Sequence, residues 1–180
     1  SVLSAHRHVF GVFFSYALLS IVGLGPVGAV VYRIAEFAKR YWSQVPALEA
    51  NTTPDPGNWT SASLQEVAQE SWHAIDWVPA RATVMGFAIM GSFEDAMDGW
   101  RHHAEKFPDD NDGVILAATA GAINVQLGGA ALQPELPGSS STPGRTPELA
   151  HFAQVVGLVW RTVVMWLVLV ALLSLANLLG

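Results

Sequence analysis

The chain has 180 residues, of which 51% are hydrophobic and 13% are charged, and its formal net charge at pH 7 is −6. Soluble domains carry about a quarter charged residues, so this composition favours a membrane protein. The absence of cysteine excludes disulfides, thiolate metal sites and a cysteine nucleophile. The acidic balance disfavours nucleic acid as a partner, because nucleic-acid binders need a basic surface.

The first apolar stretch, residues 9–31, contains no ionisable group except the phenol of Tyr16. At ~1.5 Å per residue it exceeds a hydrocarbon core of about 30 Å, so it predicts a transmembrane helix. Pro26 and its neighbouring glycines predict a kink in the second half. Because the chain begins with Ser1 and no signal peptide precedes this stretch, we expect the C-terminal part of a longer protein.

A polar region follows, with a predicted loop over residues 46–60. Ser63 and Glu66 have the spacing of a capping box and predict the start of a helix that Pro79 should end or kink. Residues 82–93 are apolar but too short to span a bilayer. We expect them to be buried, interfacial or re-entrant.

Ser92 and Asp95 repeat the capping-box spacing and predict an amphipathic helix over residues 93–107, followed by a turn over residues 108–113. Its aromatic stripe is expected to pack on protein or on the bilayer surface. Residues 114–132 predict a further helix, whose small residues at four-residue spacing suit close helix contact and whose polar side chains favour burial over spanning.

Residues 133–147 are predicted to form a flexible Pro/Ser/Gly linker, and residues 152–179 to form the second transmembrane helix, with Arg161 snorkelling to the headgroups. Most Lys and Arg residues lie between the two predicted spans, which places residues 33–150 in the cytoplasm. The expected fold class is all-α: one polytopic membrane domain over residues 1–180, with re-entrant or amphipathic helices between the spanning helices.

Three runs of sequence resemble the CobD/CbiB family: HRHVFGVFF with GPVGAVVYR, WVPARATVMGFAIMGSFEDAMDGW, and DNDGVILAATAGAINVQLGGAAL. That family comprises bacterial inner-membrane proteins, among them the adenosylcobinamide-phosphate synthases of cobalamin biosynthesis, and it is similar to AmpE, which is linked to β-lactamase regulation. The resemblance implies a multi-pass protein of the inner membrane. Its partners would be the lipid bilayer, the missing N-terminal helices and further membrane chains.

The resemblance implies two alternative functions. As a synthase, the protein would use ATP and Mg²⁺ to form an amide between adenosylcobyric acid and an aminopropanol phosphate. Cobalamin-pathway members usually carry Asn-Thr-Leu-Asp-Ser-Met after a Tyr-basic pair, whereas residues 34–37 here read Ile-Ala-Glu-Phe, and they carry Ser-Pro-Asn where residues 109–111 read Asp-Asp-Asn. These departures favour the AmpE-like branch and a non-enzymatic sensor or assembly partner, so no catalytic residue is assigned.

A phosphorylated ligand would require an anion site, and the sequence offers one. Arg81 should lie on the same polar cavity as the turn at residues 111–113, whose backbone N–H groups open the next helix. The alternatives are an ion pair of Arg81 with Asp76 or an acid of the turn, and a plain turn with a helix cap. The predicted ligand-binding residues are Arg81, Asn111, Gly113, Gly128 and Gly129.

No metal site is predicted from histidine. The pairs His6 with His8 and His102 with His103 lack the i, i+4 spacing of paired helical ligands. The N-terminal pair is instead expected at the membrane interface. The acids at residues 109–112 do not match a calcium loop, so solvated turn acids are favoured, with a weak Mg²⁺ role as the alternative.

Overall fold

The structure is a computed structural model that describes residues 2–21, 23–49, 59–107, 110–127 and 142–179. Its described elements are α1 (Val2–Ala5), a π-helical turn (His6–Phe10), α2 (Gly11–Ser20), α3 (Gly25–Glu49), α4 (Trp59–Met90), α5 (Phe93–His103), a 3-10 turn (Ala104–Lys106), α6 (Asp110–Ile123) and α7 (Leu149–Leu179). The described part of the chain is helical apart from one isolated β-bridge between Val125 and Arg145. The predicted all-α class is confirmed.

Two helical stretches in the described residues are long and apolar enough to cross a membrane, Val2–Ser20 and Leu149–Leu172. The second lies in α7 and matches the predicted C-terminal span. Most of its side chains are exposed, and Arg161 donates from Nε to the backbone oxygen of Gly157 one turn earlier. By its contacts the chain divides into two compact units, Ser1–His6 with Ala80–Gly180 and Arg7–Pro79.

The single helix predicted over residues 9–31 is wrong, because the chain reverses between α2 and α3. Gly23 has a φ of 79°, the left-handed conformation that ends a helix. A Cβ atom on Gly11 would lie 2.0 Å from Tyr32 Oη, and one on Gly28 would lie 2.1 Å from the backbone oxygen of Ser15. These pairings show that α2 and α3 form a close antiparallel hairpin.

The prediction that Pro79 ends this helix is also wrong. Helix α4 begins at Trp59, before the expected capping box at Ser63, and continues through Pro79 to Met90. A proline removes one helical hydrogen bond, but here the side chains on both sides of it, Asp76 and Ala80, are completely buried. Packing of α4 therefore outweighs the loss of that bond. Residues 82–90 form its C-terminal end, with Phe87 and Ala88 buried.

Helices α5 and α6 form a second antiparallel pair. Ser92 is the N-cap residue of α5, as predicted, but its hydroxyl donates to Asp95 Oδ2 at 2.6 Å and makes no cap bond to the backbone. The face of α5 against α6 consists of small residues, since a Cβ on Gly99 would lie 2.5 Å from the backbone oxygen of Ala117. The predicted aromatic stripe therefore does not face α6; Phe93 at its start is exposed, whereas Phe107 at its end is buried.

Helix α6 is shorter than the predicted helix over residues 114–132. It runs from Asp110 to Ile123 and ends where Asn124 takes a φ of 52°. Its 14 residues reach about 21 Å, too short for a hydrocarbon core of about 30 Å. Most of its side chains are buried, so the predicted burial among other helices is confirmed.

The end of the predicted flexible linker is ordered against the residues that follow α6. Gln126 donates its backbone N–H to the oxygen of Arg145 at 2.8 Å, and Leu127 donates to the hydroxyl of Thr142 at 2.8 Å. Thr142 is buried. Residues 142–145 therefore form part of the fold, and residues 128–141 lie outside the described part of the chain.

Candidate functional site

The structure brings together two of the predicted ligand-binding residues. Arg81 lies on α4, after Pro79, and Asn111 lies in the first turn of α6. Nη1 of Arg81 donates to Oδ1 of Asn111 at 3.0 Å. Asn111 is completely buried and Arg81 is half-buried, so this bond joins the interior to the edge of the unit. The predicted proximity of these two residues is confirmed.

The turn expected at residues 111–113 is instead the first turn of α6, which begins at Asp110. A Cβ on Gly113 would lie 2.5 Å from the backbone oxygen of Ala104. The close approach that this glycine permits is therefore used by the chain's own backbone, and its role in ligand binding stays a prediction. Gly128 and Gly129 lie outside the described residues.

Charged side chains lie close to this pair in sequence. The planar guanidinium of Arg81 carries five N–H donors, so it can form further hydrogen bonds besides the one to Asn111. The first turn of α6 also carries the carboxylates of Asp110 and Asp112.

The unit formed by residues 7–79 contains a buried polar cluster that sequence reasoning missed. Tyr32 donates its hydroxyl to Asp76 Oδ1 at 2.7 Å, and both side chains are completely buried. Nearby, the buried Glu36 accepts hydrogen bonds of 2.6 Å from both Arg33 and Arg40.

The sequence contains a local signal for one of these two contacts and none for the other. The i, i+3 and i, i+4 spacing of Arg33, Glu36 and Arg40 is visible in the sequence and would have predicted the ion pairs. Tyr32 and Asp76 are 44 positions apart, so nothing local indicates their bond. It depends on α3 lying against α4.

His6, which was expected at the membrane interface, lies inside the protein. It is completely buried in a π-helical turn, and its Nδ1 is 2.9 Å from Thr83 Oγ1. A buried polar group needs such a partner, which explains why the imidazole is tolerated there. Among the described residues, no three His, Cys, Asp or Glu side chains are grouped so as to hold a metal ion.

A small polar cavity of about 130 Å³ lies between α5, α6 and residues 142–144. Asp95, Asp98, His103 and Asn124 are among its lining residues. Burial, together with the nearby Lys106 charge, lowers the pKa of His103 below the ordinary value of 6.5. The histidine is therefore neutral at pH 7, and the cavity is acidic.

These features together suggest a membrane protein. The described chain is an α-helical fold with two stretches apolar enough to cross a membrane, and with an arginine bonded to the start of a buried helix. This combination is typical of α-helical membrane proteins, in which a buried charge has a specific partner.

Comparison with known proteins finds relatives that are named for cobalamin biosynthesis. The chain is 29% identical over 158 residues to the cobalamin biosynthesis protein CobD of Stutzerimonas stutzeri strain A1501, over 84% of this chain and 46% of that protein. It is 30% identical over 115 residues to CobD of Chromobacterium violaceum, over 64% of this chain and 33% of that protein. With CobD of Mycobacterium tuberculosis strain H37Rv it shares 38% identity over 76 residues, which is 39% of this chain and 22% of that protein.

The chain is therefore similar to proteins named for cobalamin biosynthesis, and these relatives support the resemblance to the CobD/CbiB family that the sequence motifs indicated. It spans less than half the length of the curated relatives that it matches. No family model and no solved structure matches it.

Proposed function

We propose that the protein acts in cobalamin biosynthesis as a multi-pass component of the bacterial inner membrane. Its similarity over 84% of the chain to a protein named for that pathway carries this proposal. The two apolar helical stretches support the membrane location, and Leu149–Leu172 is long enough to cross the hydrocarbon core. The excess of Lys and Arg within residues 33–150 supports a cytoplasmic location for that region.

Within this role, we propose that Arg81 and Asn111 bind the phosphate of a substrate. The reaction would be the ATP-dependent formation of an amide between adenosylcobyric acid and an aminopropanol phosphate. Arg81 supplies a fixed positive charge, and its bond to Asn111 orients the guanidinium before the ligand arrives. The carboxylates of Asp110 and Asp112 would hold the Mg²⁺ that accompanies the phosphate.

One observation favours a second function, that of a non-enzymatic sensor or assembly partner of the AmpE-like branch. Ile34 is 62% exposed and Phe37 is 69% exposed, at positions where cobalamin-pathway members carry a polar run. Exposed apolar side chains support contact with lipid or a partner helix, and they supply no group for acid–base chemistry.

A complementation experiment separates the two functions. The full-length protein is expressed in a bacterial strain that lacks the synthase, and growth that requires cobalamin made from cobyric acid is measured. We expect growth with the wild-type protein and loss of growth with Arg81→Ala. An Arg101→Ala variant serves as the matched control, because Arg101 is exposed on the polar side of α5.

Failure of the wild-type protein to restore growth, although it is present in the membrane fraction, would contradict the synthase and favour the sensor. Growth with both Arg variants would contradict the phosphate role of Arg81 and leave the cobalamin role intact. Arg81→Lys should restore growth only partly, because an ammonium group cannot form two parallel bonds to a phosphate.

A further inference from the structure

The hairpin formed by α2 and α3 has an uncharged tip and a charged base. Residues 9–31 contain no Asp, Glu, Lys or Arg. At ~1.5 Å per residue, the uncharged part of the first arm, residues 9–20, is about 18 Å long, and that of the second arm, residues 25–32, is about 12 Å long. A hydrocarbon core is about 30 Å thick, so each arm covers about half of it.

Polar groups at the tip of the hairpin form hydrogen bonds within the hairpin itself. Leu24 donates its backbone N–H to the oxygen of Leu19 at 2.8 Å, and Gly23 donates to the oxygen of Ser20 at 3.0 Å, the two bonds of a Schellman motif. The Ser20 hydroxyl donates to the oxygen of Tyr16. Around these satisfied polar groups Ile21 is 82% exposed, as expected where lipid replaces water.

The two arms are joined in the way that suits a lipid environment. Association of helices in lipid depends on close packing, because burial of apolar side chains there gains little. Gly11 and Gly28 allow this approach, since a Cβ at either position would overlap the opposite arm. The hairpin therefore needs no aqueous surroundings to hold its arms together.

The base of the hairpin presents positive charge. The Glu36 side chain is only 6% exposed, whereas those of its partners Arg33 and Arg40 are 48% and 52% exposed. The carboxylate is thus buried while the guanidinium groups reach the surface. Basic groups beside a membrane are attracted to anionic headgroups, which places this end at the headgroup level.

We propose that the α2–α3 hairpin is re-entrant: it enters one leaflet of the bilayer, its tip lies near the midplane, and both ends return to the same face. The occupant of its exposed apolar surface is lipid hydrocarbon. This inference rests on the proposed membrane location, and it replaces the crossing helix expected over residues 9–31.

The first test uses cysteine labelling, for which the absence of cysteine from this chain is convenient. Single-cysteine variants of the full-length protein, freed of any other cysteine, are treated with an impermeant maleimide in right-side-out and inside-out membrane vesicles. We expect His8→Cys and Tyr41→Cys to react from one and the same face. Ile21→Cys should react from neither face and react fully in detergent, while the exposed Glu70→Cys on α4 is the control that reports water access.

Reaction of Ile21→Cys from the face opposite to Tyr41→Cys would show a full crossing and overturn the proposal. Reaction from the same face would show a hairpin lying on the surface and would also overturn it. If Ile21→Cys does not accumulate, Leu24→Cys, 51% exposed, gives the same reading.

The second test identifies what covers the tip. A fluorophore on Ile21→Cys is measured in vesicles of phosphatidylethanolamine and phosphatidylglycerol that contain lipids brominated either near the headgroup or near the chain end. We expect stronger quenching by chain-end bromine at position 21 and by headgroup-proximal bromine at position 41. No quenching by either lipid would show that protein covers the tip, which overturns the proposal.

Different experimental results would contradict the proposed function and the re-entrant hairpin. Removal of the full-length protein from the membrane fraction by an alkaline wash would contradict the membrane location itself and therefore both proposals. A protein that stays in the membrane but labels at position 21 from the far face contradicts the re-entrant hairpin only.

Discussion

Removal of the bond between Arg81 and Asn111 should cost the unit a measurable part of its stability. Asn111 is completely buried, so truncation to alanine removes the acceptor that faces the guanidinium. Hydrogen bonds to charged groups contribute about 1.5–3 kcal/mol. Since Arg81 is half-buried and water can replace part of the loss, we expect a coupling energy near the lower end, about 1.5 kcal/mol.

A double-mutant cycle measures this coupling. The free energy of unfolding is determined in detergent for the wild-type protein, Arg81→Gln, Asn111→Ala and the double variant, and the excess of the two single effects over the double effect is the coupling energy. Additive effects, within about 0.5 kcal/mol, would refute the structural role of this bond. The same four proteins, titrated with phosphate and Mg²⁺, then show whether Arg81 also binds an anion.

Three further predictions concern the helices around this site. Gly121→Ala should lower the free energy of unfolding by about 1–3 kcal/mol, because the added Cβ would overlap the backbone oxygen of Asp95. Gly157→Ala is the control and should be neutral or stabilising, because no atom lies within 4 Å of the added Cβ. Equal denaturation midpoints for the two variants would contradict this prediction. Burial lowers the pKa of His103, so the contribution of this residue to stability is complete above the unfolded pKa and is lost as the pH falls below about 6.5. The free energy of unfolding of His103→Asn should therefore fall less steeply between pH 7 and pH 5 than that of the wild-type protein. Parallel curves for the two proteins would refute the assignment. Trp100→Asp on α5 should weaken attachment to the membrane or the core, which alkaline extraction and thermal unfolding would detect, and unchanged behaviour in both would count against it.

The elements that the sequence predicted well are those whose signal is local and long. The apolar run of α7 needs only its composition to be recognised, and the structure extends it by three residues to Leu149. Ser92 was recognised as the N-cap of α5 because its position immediately precedes a helical pattern. The proximity of Arg81 and Asn111 was expected because a charge in an uncharged stretch requires a partner.

The errors share one physical cause, that contacts distant in sequence changed the outcome of a local pattern. Residues 9–31 were predicted to form one span, because composition cannot show that glycines allow α2 and α3 to pack closely against each other. Pro79 read as a break, but the buried neighbours of α4 keep the helix continuous. The contact of α5 with α6 was not predicted, because the small residues that allow the two backbones to approach give no local signal of their partner.

The sequence by itself determined that the chain is all-α, poor in charge, and carries motifs of the CobD/CbiB family, because composition and short motifs need no partner to be read. Only the tertiary structure decided two of the buried polar contacts. Tyr32 with Asp76 and His6 with Thr83 are bonds across 44 and 77 positions, and each lies fully buried, where an unpaired polar group would be costly. Such pairs form when helices dock, so their partners are set by packing and not by spacing along the chain.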